Sequence, residues 1–197
     1  LLPDPELSKA RHAVGYASLW NCIGIQLNTH IFKSYNKRVV ANYETMKTIV
    51  EIADADNAYI KQLKIKQAQE NAALVAPKAW QKVIDRLKVH NVQMKEVVKD
   101  TLMKVDYYQI DDFKTVTTPF EGHYLHYDTQ ASIHNDSVRV YKGDYIVPTA
   151  QLAKRYLIEV LTPTEVDSFF NWNFFDSVLG KDVKYPILMT NDKLTIN

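Results

Sequence analysis

The sequence predicts an α/β protein in two parts, and three observations lead there. Apolar residues recur at three- and four-residue steps over several long stretches, the spacing of helices. Short apolar or extended runs lie between them and fit strands. An Ala-rich segment closed by a proline, residues 72–77, marks a change of pattern between the two parts. The expected units are 1–75 and 76–197, each combining helix and strand.

Taken in order, residues 1–12 are mostly polar and carry Pro3 and Pro5, which reads as a loop. Val14, Tyr16, Ala17, Leu19 and Trp20 give helical spacing over 13–21, weakened by Gly15. Residues 22–27, Cys-Ile-Gly-Ile-Gln-Leu, fit a short buried strand, and 29–37 read as a loop. Val39, Val40, Tyr43, Met46, Ile49, Val50 and Ala53 then predict an amphipathic helix. It is expected to break near 54–57 and to resume to about Gln69. Trp80, Val83, Ile84 and Leu87 predict a further helix ending near His90-Asn91. Residues 92–98 form a candidate strand, and 102–116 and 124–127 read as extended. The runs 138–141 and 145–147 flank Lys142-Gly143-Asp144, a hairpin signal. Thr149 is placed to cap a helix whose apolar face is Leu152, Ala153, Tyr156, Leu157, Val160 and Leu161. Thr162-Pro163-Thr164-Glu165 has the pattern of a capping box with proline at the first helical position, so a new helix is expected there.

Composition excludes some classes. Of 197 residues, 46% are hydrophobic and 24% charged, which suits a protein with a real core. The formal net charge is +1 and no basic run is interleaved with aromatics, so a nucleic-acid partner is not expected. The single cysteine, Cys22, allows no internal disulfide and is expected to be a small buried apolar residue. Residues 12–32 lack Asp, Glu, Lys and Arg, but Asn21, Gln26, Asn28, Thr29 and His30 would need partners in lipid. That stretch is read as buried core, with no membrane partner. No signal-peptide pattern is present, and the first residue is Leu1, which suggests a processed or truncated product, with an exported precursor still open.

Two blocks of residues carry a resemblance. In the first, Leu19-Trp20-Asn21 feeds Ile23-Gly24-Ile25-Gln26-Leu27 and then Asn28-Thr29-His30, followed by Lys33, Tyr35, Arg38 and Val39. The second holds Gly143-Asp144-Tyr145-Ile146-Val147-Pro148-Thr149, Gln151, Leu161-Thr162-Pro163, Trp172-Asn173-Phe174-Phe175-Asp176 and Lys184-Tyr185-Pro186. Together they resemble the C-terminal part of a bacterial branch of the zinc carboxypeptidases and its C-terminal extension. In that branch a strand ends in Glu-Thr-His, followed by Lys-Pro-Tyr and Arg-Val, and its glutamate is the catalytic base. The resemblance implies the closing edge of a carboxypeptidase-like mixed-sheet α/β domain over 1–75, and a mixed α/β accessory domain over 76–197.

The resemblance also implies what this chain lacks. Zinc-dependent peptide hydrolysis needs three protein ligands and one open position for water. The family's ligands, a His-x-x-Glu pair and a later His, precede the strand that carries the base. The only histidine before that strand here is His12, and no His-x-x-Glu occurs. No cofactor is therefore expected in this chain, although intact relatives hold zinc. Asn28 stands where the family has glutamate, and a neutral amide cannot take a proton from water. The implied protein is the C-terminal portion of a carboxypeptidase-like protein, inactive by itself, with an N-terminal half elsewhere as partner. The alternative is a non-enzymatic peptide-binding or interaction module.

Other candidate sites compete with simpler readings. Tyr16, Lys33, Tyr35 and Arg38 could line a pocket for a peptide's C-terminal carboxylate, since arginine grips a carboxylate by two parallel hydrogen bonds. They could equally shape the loop and the start of the following helix. His123 and His126 form His-x-x-His, but in an extended segment residues three apart point to opposite faces, which argues against a zinc pair. Phe169, Phe170, Trp172, Phe174 and Phe175 are spaced as packing residues rather than as an exposed platform for sugars or bases. Asn135-Asp136-Ser137 matches a glycosylation acceptor, a pattern common by chance.

Overall fold

The structure is a computed structural model and describes residues 12–20, 22–29, 31–68, 73–178 and 183–190. Its centre is a six-stranded sheet in the order β2-β5-β1-β6-β3-β4. The strands are β1 (Ala73–Ala76), β2 (Lys95–Glu96), β3 (Thr101–Thr115), β4 (His126–Val140), β5 (Tyr145–Pro148) and β6 (Val183–Thr190). Every pairing is antiparallel. The fold is thus mixed α/β, as the sequence predicts, on an antiparallel sheet.

Side chains alternate across the strands and build two cores. On one face Ala76, Val147, Ile110, Tyr185 and Ile187 meet apolar residues of three helices. These are α1 (Ala13–Leu19), α4 (Gln81–Val89) and α5 (Lys154–Leu161). Each brings part of the expected stripe: Leu19 from α1, Val83 and Leu87 from α4, Tyr156, Leu157, Val160 and Leu161 from α5, while Leu152, expected on the α5 face, precedes the helix and is exposed, as is Tyr16 of α1. Burying one such side chain is worth about 1.5–3 kcal/mol. The opposite face carries Val75, Met103, Val105, Val140, Ile146 and Leu188.

The end of α4 shows why its boundary was legible. His90 is the C-cap and Asn91 adopts a left-handed φ of 53°. Asn91 N–H bonds the Lys88 carbonyl and Val92 N–H the Leu87 carbonyl, the two bonds of a Schellman motif. Val92 and Leu87 are both buried and complete its apolar contact. Asparagine takes the left-handed position more readily than any residue but glycine.

Several expectations are corrected. Residues 22–29 form no strand, and Ile23, Ile25 and Leu27 are exposed. The isolated apolar run finds no neighbouring strand among the described residues, and alternation alone cannot supply one. Cys22 is exposed, not buried. Gly24 passes so close to α1 that a Cβ there would lie 2.9 Å from the Val14 backbone. The turn at Lys142-Gly143-Asp144 is present, with Gly143 at φ 91°, but it closes no hairpin. β4 pairs with β3, and β5 pairs with β1 and β2. The real hairpin is β3–β4, whose strands of 15 residues each were read from the sequence only in part. Residues 162–172 make turns rather than a helix, and Thr149 does not cap α5, whose N-cap is Ala153.

Within the segment read as a boundary, Ala73–Ala76 form β1, which sits between β5 and β6 inside the sheet. The helix expected after the 29–37 loop is realised as α2 (Tyr35–Ala55) and α3 (Asn57–Ala68), broken at Asp56 as expected, but it starts earlier and takes in Tyr35 and Lys37, which the sequence reads as loop. No residue of α2 is buried. Val39, Val40, Tyr43, Met46 and Val50 are all exposed, leaving an apolar stripe uncovered by any described residue. Helix α1 by contrast is anchored. Tyr16 Oη lies 2.9 Å from His90 Nδ1, and Trp20 stacks on Tyr156 at 5.5 Å.

Candidate functional site

The segment after α1 and the first turn of α2 fold around a cavity of about 590 Å³. Asn28 and Thr29 come from the extended segment, Phe32 and Lys33 from the turn, and Ser34, Lys37, Arg38 and Ala41 from the start of α2. Lys37, Arg38 and Ala41 lie three to four residues apart, so they share a helix face. Among the described residues, three cations and no carboxylate line the cavity. The N-terminus of α2 adds a partial positive charge.

Arg38 holds the feature that matters most. Its Nε is enclosed and has no hydrogen-bond acceptor. Its guanidinium carbon sits 6.0 Å from the centre of the Tyr35 ring, at the outer reach of a cation–π contact. An enclosed guanidinium N–H without an acceptor costs free energy until an anion supplies one. Asn28 Oδ1 accepts a 3.3 Å bond from Gln26 Nε2.

The structure therefore brings Asn28, Lys33 and Arg38 around one cavity, with the Tyr35 ring 6.0 Å from the Arg38 guanidinium carbon. Tyr16 is elsewhere, against His90 on the far side of α1. Asn28 is exposed on an extended segment, not at the end of a buried strand. The two histidines of His-x-x-His part company, as the extended backbone requires. His126 is buried, with Nδ1 2.9 Å from Thr115 Oγ1 and Nε2 3.2 Å from Asp176 Oδ1. His123 packs edge-on against Trp172 at 5.4 Å.

Sequence reasoning missed a second cavity, of about 510 Å³, between α4 and residues 172–174. Lys82, Asp85, Arg86 and Val89 line one side, and His123, Trp172, Asn173 and Phe174 the other. The spacing 82, 85, 86, 89 on α4 was the available signal, a polar helix face opposite the buried one. The aromatic cluster thus divides: Phe169, Phe170 and Phe175 are core, while Trp172 and Phe174 reach this cavity.

Zinc, implied by the resemblance, finds no fitting donor set among the described residues. Among the described residues no three His, Cys, Asp or Glu side chains converge as a metal-binding group, and no chemical step is derived through the metal. No described helix is long and apolar enough to cross a membrane. No protein-family model, no curated protein and no solved structure matches the chain.

Proposed function

We propose that the chain is the C-terminal portion of a zinc-carboxypeptidase-like protein, and that its 28–41 cavity holds a peptide's C-terminal carboxylate without cleaving the peptide. The observation that carries this reading is Arg38, whose enclosed Nε has no acceptor and whose side chain lines a cavity with Lys33 and Lys37. A carboxylate would take two parallel bonds from the Arg38 fork and charge from the lysines. Asn28 could orient the last peptide bond by hydrogen bonding, but as an amide it cannot act as general base. The uncovered apolar stripe of α2 fits a helix that packs against an N-terminal half carrying the zinc ligands.

The test is calorimetric titration of short peptides with a free C-terminus against their C-terminal amides. The free acids should bind about tenfold or more tightly, and Arg38→Ala should remove the difference. Equal binding of acid and amide would refute the carboxylate site. Turnover of those peptides with zinc present and Asn28 intact would refute the non-hydrolytic role.

A further inference from the structure

The second cavity lies on the sheet unit, away from Asn28 and Arg38, and its chemistry differs. Lys82 and Arg86 are one turn apart on α4, so both ammonium and guanidinium reach the same space. Among the described residues neither pairs with a carboxylate. Asp85 stands between them in sequence and accepts a 2.6 Å bond from Gln81 Nε2, which leaves its carboxylate further acceptor capacity. Opposite stands Trp172. Its indole N–H donates to Asp167 Oδ1 at 3.3 Å, and its ring is set edge-on to Phe120 at 6.2 Å and His123 at 5.4 Å. The indole is thus fixed, its one donor is used, and what it offers the cavity is ring surface. Asn173, next in the chain, holds a left-handed φ of 65° and donates to the Tyr124 carbonyl at 2.9 Å. Such a backbone persists only where surrounding bonds enforce it, and it fixes Trp172 and Phe174 on either side.

A rigid ring surface, two unpaired cations and a carboxylate with spare acceptor capacity make an uncommon set. The cavity size lies within the small-ligand range of about 300–1,000 Å³. A purely anionic ligand would use the cations and leave Trp172 idle. A neutral apolar ligand would leave Lys82 and Arg86 desolvated without compensation. We infer that this cavity binds an acidic sugar, a hexuronate unit of a glycan. The C–H face of the pyranose lies on Trp172, its carboxylate meets Arg86 and Lys82, and its hydroxyls donate to Asp85 with His123 alongside.

The experiment titrates the full chain with tetragalacturonate, its fully methyl-esterified form and a hexaglutamate peptide, following Trp fluorescence and heat. Tetragalacturonate should bind in the millimolar range or tighter, and esterification should weaken it about tenfold or more. Trp172→Ala and Arg86→Gln should each weaken it about tenfold, with partial recovery in Arg86→Lys. Trp172→Phe keeps a ring and should retain most of the affinity, which separates loss of the ring surface from loss of the fold. Circular dichroism on each variant checks the fold directly. Equal binding of the ester would overturn the inference, as would hexaglutamate binding equally well and indifferently to Trp172→Ala. No heat and no fluorescence change at about 5 mM tetragalacturonate would overturn it too.

Discussion

Replacing Tyr185 with phenylalanine should stabilise the protein. Tyr185 sits on β6 in the centre of the helical-face core, 1% exposed, with Phe175 at 5.1 Å, Phe170 at 6.2 Å and Tyr108 at 6.5 Å. Its hydroxyl is enclosed and has no hydrogen-bond partner. A buried hydroxyl without a partner costs about 1–3 kcal/mol relative to water. Removing it leaves a void of about one water probe, roughly 10–15 Å³, which costs only about 0.3 kcal/mol at ~24 cal/mol per Å³. The balance favours Tyr185→Phe by about 1 kcal/mol, which for a chain of this size raises Tm by about 2–4 °C. Urea unfolding followed by circular dichroism measures this as a higher midpoint at unchanged slope. An alkaline arm tests the same burial. Desolvation holds the Tyr185 phenol well above its usual 10.0. A group with a raised folded pKa contributes stability below its unfolded value, so that contribution falls as pH climbs past 10. Tyr185→Phe should flatten the alkaline decline. A loss of about 1 kcal/mol or more on substitution would show that the hydroxyl has a partner and refute the reasoning.

Two further perturbations follow from single side chains. Asp144 is buried, and its carboxylate accepts from Lys78 N at 2.9 Å and Tyr141 N at 2.8 Å, tying β1's exit to the turn before β5. Asp144→Ala strands two backbone N–H groups and should cost about 2–4 kcal/mol, with Asp144→Asn milder, measured by urea midpoint. Burial, and then the Arg86 charge, lower the His90 pKa below 6.5. A lowered folded pKa means stability present above 6.5 and lost as pH falls below it, so the α1 contact through Tyr16 should loosen from that pH downward. Protection factors of residues 13–19, corrected for the intrinsic exchange rate at each pH, should fall between pH 6.5 and 5 in the wild type and not in His90→Phe; unchanged protection in the wild type would refute the coupling.

The helices α4 and α5 were legible in the sequence because each has a one-sided apolar pattern. Val83, Ile84 and Leu87 with Asn91 are the clearest case, and the break expected near 54–57 falls at Asp56. The strands were less so, because pairing partners lie far apart in sequence. Gly143 announced a turn, yet a tight turn does not say which strands flank it in space. In β3–β4 the alternation is blurred by register shifts between Ile110, Asp112 and Lys114 and by the many polar residues of an exposed edge. At the carboxylate cavity, Lys33, Tyr35 and Arg38 could be named because they sit close together in the chain and arginine is suited to grip a carboxylate. Tyr16 was assigned with them by proximity in sequence, but its ring follows α1 onto α4 and α5. The second cavity needed tertiary structure, since its walls are about 90 residues apart.

Among the described residues, β4 is an edge strand along its whole length. Every second amide on that strand faces β3 and every other one faces water. Such a ribbon should show a two-residue rhythm in solvent exchange, fast and slow amides alternating from His126 to Val140. Asp128, Asp136 and Arg139 along it are charges that an incoming strand would have to desolvate, and the bulged stretch beside Asp128 twists the ribbon away from flatness. The same edge that leaves half its backbone bonds to water is thereby kept from growing the sheet into the next molecule.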